Sequence, residues 1–216
     1  MIVGILASQL NTYIKNMNLL ILYPKEFNCF SKFVRKITNI ICKKSVERVL
    51  YPSDENRFIC DFFKEHISSP ELLKKKDWID YNITHAIIFD DGEEFIEETQ
   101  KIKNLKIPLR FINIAITRVV NIKKETQYKN IKSTPEYEYI GRGSYWGNPY
   151  SMFEDGDDRD EVIRKYKYDF DHEMFPNKEK LQVYKLTGKR LGCFCKPQSC
   201  HGDILADYLN SYDDGK

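Results

Sequence analysis

The chain has 216 residues, of which 42% are hydrophobic and 13% are aromatic, and its formal net charge is +2. This aromatic content excludes a disordered chain, which cannot bury enough apolar surface to offset its ordering entropy. The 34 basic and 32 acidic side chains nearly cancel, so a bulk electrostatic attraction to nucleic acid is not implied. No stretch approaches the roughly 20 apolar residues that span a bilayer, and no membrane partner is expected.

The N-terminal segment 1–7 is apolar but short, and no basic region precedes it. We interpret it as a first strand or a loosely packed leader rather than as a signal peptide. Without an export signal, the six cysteines are expected to be reduced and the protein to be cytoplasmic.

The first half of the chain alternates short apolar runs with amphipathic stretches. The apolar runs predict strands at 19–23, 49–51, 86–89 and 108–112. The amphipathic stretches predict helices near 30–37, 58–63, 70–81 and 93–104. Strands that alternate with helices at this spacing indicate a parallel sheet covered by helices.

The second half predicts strands at 119–122 and 191–195, separated by a polar connection at 123–138 and a glycine-rich turn. Asp158, followed three residues later by Glu161, predicts the beginning of a helix. The residues expected to be buried on this helix and on the last one are Val162, Ile163, Tyr166, Phe170, Ile204, Leu205, Tyr208 and Leu209.

These elements predict an α/β chain of two small Rossmann-like units, with mainly parallel sheets flanked by helices. We place a degenerate Rossmann-like domain at 1–116. A second α/β domain, with Gly-Arg-Gly and Cys-x-Cys…Cys-His motifs, is placed at 117–216.

The first unit, through residues 84–92 and 106–109, resembles nucleotide-processing Rossmann-like domains of the group that contains the lysine-decarboxylase-like phosphoribohydrolases. The glycine-rich phosphate loop of such domains is replaced here by Tyr23-Pro24-Lys25-Glu26. We therefore interpret this unit as a scaffold or dimerisation domain without a site of its own.

The second unit carries four informative blocks in order. They are Ile140-Gly141-Arg142-Gly143, Gly147-Asn148-Pro149, residues 159–163, and the tail 191–205 with its Gly-Cys-x-Cys and Cys-His-Gly motifs. Together they closely resemble an uncharacterised domain family of bacteria and phages. They distantly resemble a second uncharacterised family with a Cys-His-Arg signature, whose arginine is replaced here by Gly202. Because neither family has a settled activity, the resemblance implies a fold rather than a function.

The cysteine cluster allows three interpretations, of which the first is a zinc site. Its ligands would be Cys193, Cys195, Cys200 and His201. In a straight strand, however, Cys193 and Cys195 would stand about 6.6 Å apart along the chain. No cofactor is therefore predicted, and zinc stays an alternative.

The second interpretation is an active site with Cys200, His201 and Asp203 as catalytic residues. A helix N-terminus attracts anions and lowers a cysteine pKa, which favours a thiolate at Cys200. His201 could act as an acid or base, while Asp203 could orient its imidazole or complement the helix dipole. The third interpretation is structural, with the cysteines in the core and His201 as a capping group.

The residues expected to bind a ligand lie mostly in the glycine-rich turn. They are Gly141, Arg142, Gly143, Trp146, Asn148 and Cys195. Two glycines allow a close backbone approach, and Arg142 could grip a phosphate or carboxylate with two hydrogen bonds. Trp146 could stack on a base or cover the core. Asn148 could bond a base edge or hold the turn before Pro149.

These residues predict an enzyme that acts on a nucleotide or nucleic-acid component, by hydrolysis or transfer at an N-glycosidic or phosphate-linked position. The expected partner is a nucleotide-like small molecule or a nucleic-acid component, and a protein partner is also allowed. The alternative is a non-enzymatic module that captures a nucleotide or a protein in phage–host conflict. A zinc-stabilised nucleic-acid binder is one form of that alternative.

Overall fold

The computed structural model describes residues 17–64, 70–152 and 156–215. They divide into two compact units. The first unit contains residues 17–25 and 30–113, and the second contains residues 26–29 and the described residues from Ile114 onward. The segment 1–7, interpreted above as a strand or leader, lies outside the described residues. Within the described ranges, no helix is long and apolar enough to cross a membrane.

Among its described residues, the first unit contains five strands, three α-helices and one short 3-10 helix. The strands are β1 (Met17–Leu22), β2 (Val46–Tyr51), β3 (Glu71–Lys74), β4 (His85–Asp90) and β5 (Leu109–Asn113). The helices are α1 (Phe30–Ile41), α2 (Phe58–Lys64) and α3 (Ile96–Asn104). The strands form one sheet in the order β3-β2-β1-β4-β5, and every neighbouring pair is parallel.

β1 and β4 lie at the centre of this sheet because their side chains are apolar on both faces. On one face, Leu20 of β1 packs with Ile88 of β4 and Ile102 of α3. On the other face, Phe33 of α1 stacks on Phe89 of β4, with ring centroids 5.3 Å apart. Continuous apolar runs of this kind are typical of parallel strands covered by helices, so the prediction of both strands is confirmed.

The segment after Pro70 is a strand, and the helix predicted over 70–81 is wrong. β3 pairs in parallel with β2, and Leu73 lies opposite Leu50. The helical propensity of this segment is outweighed because the sheet edge offers hydrogen bonds and Leu73 packs against the core. Only Ile79–Tyr81 is helical, as a short 3-10 helix.

α3 begins at Ile96, three residues later than predicted, because the preceding loop is organised around a buried carboxylate. Asp90 is 1% exposed at the end of β4. Its carboxylate accepts hydrogen bonds from the backbone N–H groups of Glu94 and Phe95. These bonds hold the loop in a non-helical path before α3 starts.

The second unit contains three strands and two α-helices. They are β6 (Arg118–Asn121), β7 (Tyr137–Tyr139), β8 (Arg190–Cys193), α4 (Arg159–Asp171) and α5 (His201–Asn210), with 3-10 helices at Thr126–Tyr128 and Lys180–Leu186. The strands form a parallel sheet in the order β6-β8-β7. Two mainly parallel sheets flanked by helices confirm the predicted α/β fold class.

The core of the second unit surrounds its central strand, β8. Leu191 of β8 is fully buried with Tyr166 and Phe170 of α4 and Leu205 and Leu209 of α5. Asp158 caps α4 as predicted, since its side chain accepts a hydrogen bond from the backbone of Glu161. Of the positions predicted to be buried, three are half-buried instead: Ile163, Ile204 and Tyr208.

β8 ends at Cys193, so the strand predicted over 191–195 is two residues too long. Beyond Cys193 the chain leaves the sheet, and the side-chain amide of Asn121 donates a hydrogen bond to the carbonyl of Lys196. This bond takes the place of the backbone ladder and holds a turn. The expectation that Cys193 and Cys195 stand apart on a straight strand is therefore wrong.

Candidate functional site

Three cysteine thiols converge between β8 and α5. Cys193 ends β8, Cys195 lies in the turn that follows, and Cys200 is the N-cap of α5. The Sγ atoms of Cys193 and Cys195 are 3.5 Å apart, and all three Sγ atoms lie within 4.8 Å of one another. Cys193 and Cys200 are buried, and Cys195 is half-buried. We refer to these three residues as the thiol cluster.

The thiols of the cluster shift one another's pKa because they share hydrogen bonds. A hydrogen bond from Cys200 is the main cause that lowers the pKa of Cys193, to about 5. The same bond raises the pKa of Cys200. Burial, with the charge of Cys193 second, raises the pKa of Cys195. These shifts favour negative charge on Cys193 and oppose it on Cys200, where the sequence had suggested a thiolate.

His201 is a buried neutral imidazole beside the cluster. Its Nε2 lies 2.9 Å from the carbonyl oxygen of Ile140, which can only accept, so Nε2 carries the proton. Nδ1 is then an acceptor and lies 3.7 Å from the Sγ atom of Cys200. Burial lowers the pKa of His201. Gly202 also packs closely here, since a Cβ atom at this position would lie 2.4 Å from Cδ1 of Ile140, whose side chain would have to move.

Asp203 caps α5 and does not hydrogen-bond the imidazole of His201. Its Oδ2 atom accepts a hydrogen bond from the backbone N–H of Cys200 at 3.0 Å, which completes a capping box. Its Oδ1 atom pairs with Nζ of Lys196 at 2.6 Å. Of the two roles considered for Asp203, the geometry therefore favours support of the helix N-terminus.

A cavity of about 170 Å³ in the second unit joins the thiol cluster to the glycine-rich turn. The sequence-predicted residues that line it are Gly141, Arg142, Asn148, Cys193, Cys195, Cys200 and His201. Segments that lie about fifty residues apart in the chain thus meet around one space.

Two arginines are among the residues that line this cavity. Arg142 is exposed, and among the described residues no hydrogen bond or ion pair involves its guanidinium. Arg159, the first residue of α4, also lines the cavity, and its Nη1 atom donates to the carbonyl of Ser199 at 3.3 Å. Sequence reasoning missed Arg159. Its place at the start of a helix was visible, but the direction of that helix toward the cysteines was not.

The other three residues predicted to bind a ligand lie in the turn or in the hydrophobic core. Gly143 adopts a φ of 83° in the turn and does not line the cavity. Trp146 is buried in the core, where its ring packs edge-on against Phe170, and it borders a separate open cleft of about 830 Å³. Asn148 donates to the carbonyl of Val162 and accepts from the backbone of Tyr150, so its amide holds the turn.

The thiol cluster is also the one set of three or more Cys, His, Asp or Glu side chains with metal-ligand spacing among the described residues. Cys193, Cys195 and Cys200 belong to it, whereas His201 does not. The four-ligand set considered from the sequence is thus reduced to three sulfur atoms.

Comparison with known proteins assigns the two units separately. Residues 16–120 match the family model of the minimal SLOG domain. Residues 120–211 match the family model of a domain of unknown function, DUF4326. The SLOG domain is Rossmann-like, in agreement with the sheet of the first unit. The second match supports the resemblance to an uncharacterised phage and bacterial family.

One curated relative is an uncharacterized 12.4 kDa protein in the nrdA-td intergenic region of Enterobacteria phage T4. It is 40% identical to this chain over 72 residues, which cover 33% of this chain and 65% of the relative. No solved structure matches the chain with significance.

Proposed function

We propose that the second unit is an enzyme that binds a phosphate-bearing nucleotide or nucleic-acid component. The observation that carries this proposal is the cavity that Arg142 and Arg159 line together with the thiol cluster and His201. Arginine binds phosphate with two charge-assisted hydrogen bonds. Two such residues in the lining of one cavity favour an anionic ligand.

The size of the cavity limits which part of the ligand enters it. Pockets that bury a drug-sized ligand begin at about 300 Å³, whereas this cavity measures about 170 Å³. It suits one phosphate or one phosphate-bearing sugar, with the rest of a nucleotide or chain outside. The match of residues 16–120 to the SLOG domain supports a nucleotide, because that group is related to nucleotide processing.

The groups beside the arginines favour chemistry over simple capture. The neutral imidazole of His201 can accept a proton at Nδ1, and Cys193 in the same wall is the thiol of the cluster whose pKa is lowered. Titratable groups with shifted pKa values in the wall of a cavity are typical of active sites. We infer hydrolysis or transfer at a phosphate-linked or N-glycosidic position of the bound group.

The test is product formation from a panel of nucleotides and short RNA and DNA, followed by chromatography for released base or phosphate. We expect turnover of one member, and a loss of at least about tenfold in Arg142→Gln and Arg159→Gln, because each removes a charged hydrogen bond to the ligand. Arg164→Gln is the matched control, since Arg164 is exposed on α4 and pairs with Glu161.

Turnover that is equal in Arg142→Gln, Arg159→Gln and Arg164→Gln would contradict the assignment of the cavity. Binding of a nucleotide that is recovered unchanged would contradict the enzymatic part and favour a capture module.

A further inference from the structure

The three sulfur atoms of the thiol cluster are spaced as ligands of one metal ion. A disulfide would hold two sulfur atoms about 2.05 Å apart, whereas those of Cys193 and Cys195 are 3.5 Å apart. Thiolates bound to a tetrahedral zinc ion at about 2.3 Å lie about 3.8 Å from one another. One separation in the cluster is 3.5 Å and none exceeds 4.8 Å, which is compatible with that value.

The backbone around the cluster donates hydrogen bonds to its sulfur atoms. The N–H of Gly202 donates to Sγ of Cys200 at 3.4 Å, and the N–H of Cys195 donates to the sulfur of Cys193. Such bonds stabilise negative sulfur and fix its direction, as the partners of metal ligands do. This support is built into the turn and the cap of α5.

A fourth protein ligand is missing from the part of the chain that the structure describes. His201 lies next to Cys200, but its Nε2–H is engaged with the carbonyl of Ile140 and it does not join the sulfur set. The cluster borders the cavity, since all three cysteines line it. An ion bound here would lie in the wall of the cavity that Arg142 and Arg159 also line.

We propose that Cys193, Cys195 and Cys200 bind one zinc ion whose fourth coordination position opens into the cavity and takes an oxygen ligand. Thiolates select zinc over magnesium or calcium, and catalytic zinc sites keep three protein ligands and one open position. Three thiolates give the site a net negative charge, which the two arginines offset. That the oxygen belongs to a substrate phosphate rests on the proposed function, whereas the zinc site does not.

The first test is the metal content of the full chain purified without chelators, measured by elemental mass spectrometry. We expect about one zinc per chain, and its release when a mercurial reagent titrates the thiols of the wild-type protein. Cys195→Ser should bind zinc at least about a hundredfold more weakly, since losing a ligand costs more than losing its supporting partner. Cys42→Ser is the control, because Cys42 is exposed in the first unit.

Purified chain that contains no zinc and takes up none when zinc is added overturns the proposal. An iron–sulfur cluster in place of zinc overturns it as well, because the bridging sulfides would hold the cysteine sulfurs farther apart.

The second test addresses the open position, with cobalt(II) in place of zinc. We expect the visible spectrum of a cobalt–thiolate site, a change when azide or inorganic phosphate is added, and retention of the site in His201→Gln. A spectrum that responds to neither anion, or a site that is lost in a folded His201→Gln variant, shows a closed four-ligand centre and overturns the proposal.

These outcomes are separate from those of the proposed function. Zinc with an open position, but no nucleotide binding or turnover, leaves the metal site standing and removes the function. Arginine-dependent turnover in a protein that binds no zinc supports the proposed function and removes the metal site.

Discussion

At the scale of single residues, two buried tyrosines of the second unit differ in whether their hydroxyl group has a hydrogen-bond partner. This difference decides whether the hydroxyl group stabilises or destabilises the folded protein. Tyr166 donates its hydroxyl to the carbonyl of Trp146 at 3.0 Å. The hydroxyl of Tyr137 is buried over Gly192 and has no hydrogen-bond partner among the described residues. A buried polar group without a partner keeps its full desolvation cost.

The same substitution at these two positions should therefore change stability in opposite directions. We expect Tyr137→Phe to raise the free energy of unfolding by about 1 kcal/mol, and Tyr166→Phe to lower it by about 1–2 kcal/mol. Urea unfolding of both variants measures this, each being the control of the other. Destabilisation of equal size in both would mean that Tyr137 has a partner, such as an ordered water.

Residue identities at the site were largely visible in the sequence, but their spacing was not. Arg142, Cys200 and His201 stand in short motifs, and motifs can be read directly. The contact between Cys193 and Cys195 depends on where β8 ends, which the side chain of Asn121 decides from another strand. A hydrogen bond over more than seventy residues leaves no local pattern.

At the scale of elements, the N-terminus of α5 organises the site. The carboxylate of Asp203 holds the backbone N–H of Cys200 and pairs with Lys196, so it fixes the helix start that carries Cys200 and His201. Asp203 is thus a positioning residue in this account, whereas the sequence suggested a catalytic one.

The two roles of Asp203 predict different effects of substitution. Asp203→Ala removes the cap and should lower the free energy of unfolding by about 1–2 kcal/mol, whereas Asp203→Asn keeps an acceptor oxygen and should cost under half of that. Lys196→Gln, which removes only the half-exposed ion pair, should cost at most about 1 kcal/mol. Urea unfolding and product formation are measured together. Activity lost in Asp203→Asn at unchanged stability would contradict the positioning role and favour a direct catalytic one.

The elements themselves were predictable where burial is uniform along a segment. β1 and β4 are apolar on both faces, and α4 begins at a capping residue, so local patterns sufficed. β3 was mistaken for a helix because its strand state comes from pairing with β2, which no window of eleven residues contains. The start of α3 was displaced for a similar reason, by the buried Asp90.

At the scale of the whole molecule, each unit has its own sheet and hydrophobic core, and the account assigns the ligand to the second. The SLOG match would equally allow a nucleotide at the strand ends of the first unit. Our proposal places it in the second unit, because the glycine-rich loop is missing at Tyr23 to Glu26 and because Arg142 lines a cavity.

The most direct measurement is hydrogen–deuterium exchange of the full wild-type chain, with and without the nucleotide that it turns over and with the matching nucleoside as control. The account predicts slower exchange in peptides that cover 140–150 and 190–203, with the nucleotide and not with the nucleoside. Exchange that slows instead after β1 and β4, near 23–26 and 90–95, would contradict it and place the ligand in the first unit.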